Sequence, residues 1–379
     1  HTEHYLAACW TQALAGAAEL ATAVGQSEPA ARYRRDSAKV RGILDRDFWN
    51  PSTNFCNYGK FRDGIYNPEP TVLPAVAMAF GLLDPARAQP VLDAYAGNGF
   101  STDWGVRILS SASPLFNPEG YHYGSVWPLF PGWTALAEYR NGRSAQGFSH
   151  MMNNMLIKKH WAAGFVEEVM NGAVYKPSGV CPHQCWSETN VLPPALAGMV
   201  GWAPDAPHQS ATLTPRFPLD WDTVQVKNLR VGASVLDLAF TRSTSRTVYR
   251  LTLREGPPVK VHVRPERPLG MEIRKYQLDG RLIQAPTGDL SIQSVPVDLG
   301  SQRVRELVLE HTGGAGVVPF VAWPLPDEAS EDFRIIRETL TGSVFEVTLE
   351  GRSGHGGAFQ VMIFDQSVKV AQGVDNERS

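Results

Sequence analysis

The stretch GWAPDAPHQSATLTPRFPLDW, residues 201–221, decides how this chain is organised. Its prolines at 204, 207, 215 and 218 fix φ and remove backbone donors, and the proline-spaced stretch reads as the domain boundary. It divides two textures. Upstream, apolar residues recur at i, i+3 and i+4 over 3–24, 28–47, 71–83, 85–96, 129–140, 143–159 and 189–201, which predicts helices there. Asp84-Pro85 and Ser27-Glu28-Pro29 supply cap and first-turn signals. Downstream, VQVKNLRVGASVLDLAFTR, TVYRLTLREG, VKVHVRPERP, MEIRKYQLDG, RELVLEHTGG and SVFEVTLEG are short β-branched alternating runs broken by Gly and Pro, the pattern of an antiparallel sandwich. The reading is α+β and multidomain: a helical domain over 1–205 and a β-sandwich accessory domain over 206–379. The polar tail GVDNERS reads as disordered.

Composition excludes several functions. Of 379 residues, 43% are hydrophobic and 19% charged, enough for a sizeable core. A net charge of −3 without any Lys/Arg block gives no case for nucleic acid or an anionic membrane surface. The longest apolar run, VLPAVAMAFGLL (72–83), is too short to span a bilayer and holds a proline. Cys9, Cys56, Cys181 and Cys185 are too few for a disulfide framework and leave the compartment unknown. Cys181-Pro-His-Gln-Cys185 lacks the companion pair a tetrahedral zinc site needs, so neither metal nor cofactor is expected. The chain opens on His1 and runs directly into helical pattern, which reads as a cut.

The helical half keeps its polar and aromatic residues in three loops: STDWGVRILS (101–110), NPEGYHYGSVWPL (117–129) and FVEEVMNGAVYKPSGVCPHQCWSE (165–188). Loops this long inside a compact domain are uncommon unless functional. They contain no phosphate loop, no Ser-His-Asp order and no zinc motif. Trp and Tyr rings, an Arg, His, amides and carboxylates suit carbohydrate, whose C–H faces pack on rings and whose hydroxyls take directed hydrogen bonds. Acetal cleavage also needs two carboxyls, one protonated and one ionised. The adjacent pair Glu167-Glu168 in GFVEEVMNG (164–172) cannot share a role, because neighbouring side chains point to different faces. Taken alone, both fit solvated surface charges.

The ordered segments Thr102 to Ser110, Tyr121 to Pro128, Glu168 to Gly172 and Gln184-Cys185-Trp186 resemble the C-terminal half of the catalytic domain of amylo-α-1,6-glucosidase-type (glycogen-debranching-like) glycoside hydrolases. The likeness covers about residues 100–200. It implies an (α/α)6 toroid, a six-hairpin glycosidase fold of twelve helices in two rings with the site at the open end. It further implies a glycosidase acting with inversion on an α-linked glycan or oligosaccharide. By motif, Glu168, four residues before Gly172, is the general base, and Glu167 becomes a flanking surface or supporting charge. Asp103, Trp104, Arg107, His122, Trp127, Gln184 and Trp186 are the implied substrate contacts. Trp104 and Trp127 fit toroid core as well as sugar platforms, and Arg107 fits a buried structural pair.

The family's general acid, an Asp in a W-x-x-D-like segment, has no counterpart before Tyr121. Asp103 is the one acidic candidate within a site motif, with hydroxyl binding or loop structure as its other roles. Some seven helices also fall short of twelve. The toroid is therefore expected to be incomplete, with the acid and early helices on an upstream segment of a longer protein, which would be this chain's partner besides the carbohydrate. Two other readings stand: a non-catalytic carbohydrate-binding fragment, and a phosphorolytic relative. The second needs anion ligands, for which Arg107, Lys176 and His183 are the candidates.

Overall fold

A computed structural model describes residues 2–161, 164–286, 293–354 and 356–364; the tail GVDNERS lies outside them. The helices are α1 (His4–Ala23), α2 (Ser27–Asp47), α3 (Pro74–Ala79), α4 (Pro85–Ala96), α5 (Leu129–Arg140), α6 (Ser144–Ile157) and α7 (Cys185–Thr189), with a π-helical turn at Pro194–Met199. On α1 the buried residues His4, Ala8, Thr11, Leu14, Ala18 and Ala21 form one stripe at three- and four-residue spacing, and it packs on α2 and α3. Asp84 caps α4, its Oδ1 accepting the Ala86 N–H at 2.8 Å, with Pro85 in the first turn. Ser27 does not cap α2 but is its first helical residue.

Two expected helices are shorter than their apolar runs. The helix read over 71–83 spans only Pro74–Ala79, because Gly81 turns the chain at φ 69°. The helix read over 189–201 is broken: Pro193 and Pro194 lack the N–H donors a continuous ladder needs, so α7 ends at Thr189 and the π turn follows. No helix of the described residues is long and apolar enough to cross a membrane.

Strands take over at Trp202. One sheet has the spatial order β3 (Thr223–Val231), β4 (Ser234–Arg242), β5 (Arg246–Glu255), β10 (Val304–Thr312), β7 (Glu272–Leu278), β8 (Arg281–Ile283), antiparallel throughout. A second has the order β9 (Val295–Leu299), β6 (Val259–Val263), β2 (Ser210–Leu213), β1 (Trp202–Asp205), in which β6 and β2 run parallel. Alternate residues of both sheets, among them Leu236, Leu251, Leu307, Val261, Val263 and Leu299, enter one hydrophobic core. After β10 the chain pairs β11 (Ala315–Val317) with β14 (Val361–Ile363) and β12 (Arg334–Thr341) with β13 (Val344–Glu350). Between β11 and β12 it runs across α6, where Ser149 Oγ donates to Phe320 O at 2.7 Å, and Arg143, just before α6, donates through Nη2 to Ile336 O of β12 at 2.5 Å.

A cavity of about 420 Å³ lies where the helices meet this returning segment, lined among others by Ser144, Leu269, Glu266 and Glu338. Burial raises the Glu338 carboxyl to about 7, against the Val317 N–H it accepts at 2.8 Å and with the Glu266 charge adding to the rise. Burial likewise raises Glu266, opposed by the Ser144 hydroxyl, Arg216 and Arg242. A carboxyl raised above its unfolded value contributes stability that is full below about pH 4.5 and is lost as pH rises through the folded value. The stability of the wild type relative to Glu338→Gln is therefore expected to fall by as much as about 3 kcal/mol from pH 5 to pH 8. Denaturant unfolding of both proteins at a series of pH values checks this, and a constant difference would refute it.

Candidate active site

Backbone pairing draws the three loops together. Arg107 bridges to Val126, Val126 to Met170 and Met170 to Pro177, all antiparallel. Ile108 N donates to Ser125 O at 2.9 Å, and Val126 and Met170 exchange bonds at 2.9 and 2.8 Å. Glu168 N donates to Cys181 O at 2.9 Å. In this extended geometry successive side chains alternate sides, which separates the two glutamates. Glu167 is buried, 5% exposed, and its Oε1 has no hydrogen-bond partner among the described residues. Of the two places expected of it, surface or supporting, burial excludes the surface. Glu168 is half-buried, and its Oε1 accepts the Tyr121 hydroxyl at 3.0 Å. Burial, then the bond to Glu168, raises the Tyr121 phenol.

Rings gather around Tyr121. Trp127 Nε1 donates to Tyr121 O at 2.7 Å, which turns the indole under the tyrosine, centroids 4.5 Å apart. His122 stacks on Trp127 at 5.3 Å and Trp186 lies nearly parallel to it at 6.4 Å. Trp186, on α7, is 41% exposed and His122 is exposed, whereas Trp127 between them is buried, so His122 and Trp186 form the solvent-facing part of the group. Gln184 sits at the start of α7, its N–H bonded to Val166 O at 3.0 Å. His122, Trp127, Gln184 and Trp186 thus lie on the loops that carry Glu168.

Asp103, Trp104 and Arg107 do not, and the substrate contacts expected of them are corrected. Asp103 is 1% exposed, pairs with Arg334 at 2.8 Å and accepts the Glu331 N–H at 2.7 Å. No carboxylate oxygen there is presented to solvent. Trp104 is fully buried, its Nε1 bonded to Asn171 O at 2.9 Å and its ring against Tyr175. Arg107 spends its guanidinium on three carbonyls: Gly172 O at 2.6 Å, Asn98 O at 2.6 Å and Ser101 O at 3.2 Å. Burial, then the Arg334 charge, lowers it to about 10. Gly172 packs so close to Gly124 O that a Cβ would collide with that carbonyl. The last four residues of the Glu168 motif are thus fixed from behind.

Tyr121 and Glu188 are among the polar residues of this region to which sequence reasoning assigns no role. Tyr121 lies inside a quoted motif, but nothing in its spacing announces a bond to Glu168. Glu188 Oε1 lies 3.1 Å from His183 Nε2, and His183 stacks on Phe165 at 4.1 Å. The anion ligands a phosphorolytic enzyme would need are engaged: Arg107 on carbonyls, Lys176 on Glu119 at 3.3 Å, His183 on Glu188.

Residues 6–189 match the family model described as the mannosylglycerate hydrolase MGH1-like glycoside hydrolase domain. Among solved structures, a sialidase is 13% identical, with a TM-score of 0.56 over 81% of this chain and 26% of its own. An α-L-rhamnosidase from Dictyoglumus thermophilum is 10% identical, with a TM-score of 0.50 over 79% of this chain and 31% of its own. The GH63 mannosylglycerate hydrolase from Thermus thermophilus is 16% identical, with a TM-score of 0.43 over 50% of this chain and 44% of its own. No curated protein matches. The chain therefore spans between a quarter and a half of the lengths of these structures, and the likeness to the sialidase and the rhamnosidase is one of fold. The likeness to a glycoside hydrolase domain is that of the family model over residues 6–189.

Proposed function

We propose that this chain is part of a glycosidase that cleaves an α-linked glycan or oligosaccharide with inversion, with Glu168 as general base. The observation that carries this is the placement of Glu168: a half-buried carboxylate held by a tyrosine hydroxyl, beside the solvent-facing rings of His122 and Trp186, which lie on the buried Trp127. In this reading a water bound between Glu168 and the anomeric carbon loses its proton to the carboxylate as it attacks from the face opposite the leaving group. Tyr121 keeps the carboxylate aimed, the rings pack against sugar C–H faces, and Gln184 contributes a directed polar group.

The helices are read as part of an (α/α)6 toroid over 1–205, and 206–379 as a β-sandwich accessory domain, whose second sheet also takes in β1 from the end of the first segment. The general acid is assigned to an upstream segment of a longer protein. Two facts support this: the chain spans only 26% and 31% of the sialidase and the rhamnosidase, and Leu6, Trp10, Leu20 and Val24 of the first helical hairpin are 58–71% exposed. A proton-NMR time course on the longer enzyme tests the stereochemistry. The first product is expected with the anomeric configuration opposite to the substrate. A retained anomer would make Glu168 a nucleophile and overturn the base assignment.

A further inference from the structure

The geometry points to residues 318–336 as a strap that positions the Glu168 loop, an assignment that rests on the reading of that loop as the site. The segment has almost no secondary structure of its own, so bonds to its surroundings set its path. It turns through left-handed backbone at Asp327 (φ 65°) and Asp332 (φ 60°), conformations that persist only where neighbours hold them. Two groups of contacts do so.

The first is an anchor on the 101–110 loop. Asp103 takes the Arg334 guanidinium on one oxygen and the Glu331 N–H on the other, and Arg334 Nη2 also donates to Ser330 Oγ at 2.5 Å. Asp103 and Arg334 are both buried, so neither charge has water as an alternative partner. The second group reaches the site loop. Tyr175 N donates to Glu328 O at 2.8 Å, Asp327 N donates to Tyr175 O at 3.0 Å, and Val174 bridges Ala329 antiparallel. The strap is thus a strand partner for the returning arm of the loop that bears Glu168.

From there the support passes forward through packed groups. Tyr175 lies against Trp104 at 5.4 Å, and Trp104 Nε1 holds Asn171 O, three residues beyond Glu168. Asn171 Oδ1 in turn accepts the Ala173 and Val174 N–H groups at 2.8 and 3.0 Å, which closes the turn between the carboxylate and the strap-bound arm. Asp103 and Arg334 are positioning residues in this scheme, because neither touches the solvent-facing group around Glu168.

Hydrogen–deuterium exchange of Arg334→Ala against the wild type tests the assignment. Amides of 166–177 are expected to exchange about tenfold faster or more, while those of α1 and α2 keep their rates. Unchanged exchange in 166–177, or uniform acceleration over the whole chain, would overturn it; the second would make the ion pair a general stabiliser. If Arg334→Ala does not fold, Arg334→Lys keeps the charge but not the forked contact to Asp103 and Ser330, and a smaller acceleration in the same segment is expected. Exchange reads loop order whether or not a glycan is cleaved, so failure of the glycosidase reading would leave this result interpretable.

Discussion

Arg107→Ala is expected to destabilise the protein by roughly 3–5 kcal/mol, since each buried acceptor left without a donor costs about 1–3 kcal/mol. The guanidinium is 7% exposed and satisfies carbonyls of Gly172, Asn98 and Ser101, with the bonds to Gly172 and Ser101 buried. Removing it leaves those acceptors desolvated, a larger effect than the net worth of the bonds themselves. It also frees the Gly172 end of the Glu168 motif, so any activity should fall with stability. Arg107→Lys should recover part of the loss, since one ammonium cannot reproduce the fork that reaches three carbonyls. Urea unfolding of the three proteins measures this. A change under about 1 kcal/mol in Arg107→Ala would mean that the carbonyls find other donors.

The same residue shows what sequence can and cannot convey. Arg107, Trp104 and Asp103 belong to the motif of residues 102–110, and the structure packs that motif against the loop that bears Glu168. It does not separate residues that touch a substrate from residues that hold the loop that does. The distinction depends on partners far along the chain: Arg334 for Asp103, the Asn171 carbonyl for Trp104, Gly172 for Arg107. No local pattern encodes these. Local physics is legible wherever it acts alone. The apolar stripe of α1, the Asp84 cap of α4 and the alternation of β5 all follow from spacing and side-chain chemistry. The overextended reading of 71–83 follows hydrophobicity past Gly81, and that of 189–201 passes over Pro193 and Pro194, where backbone chemistry outranks periodicity. A surface location for Glu167 rests on where Glu usually lies, whereas the pairing of 166–170 with Val126 and the 177–184 segment encloses it.

That enclosure sharpens the test between the two glutamates. Glu168→Gln preserves size and can still accept the Tyr121 hydroxyl, but an amide cannot take a proton from water, so turnover should fall by about 10²–10⁴. Glu167→Gln removes a buried carboxylate whose Oε1 has no partner among the described residues, and turnover should stay within a factor of about three of wild type. The longer enzyme, which supplies the acid in this account, is the protein to assay, with circular dichroism and unfolding curves showing that all three forms fold alike. Turnover of α-linked oligosaccharides by wild type, Glu168→Gln and Glu167→Gln is the most direct test of the central claim. The account predicts that loss at Glu168 alone; equal losses at both positions, or a larger one at Glu167, would contradict it.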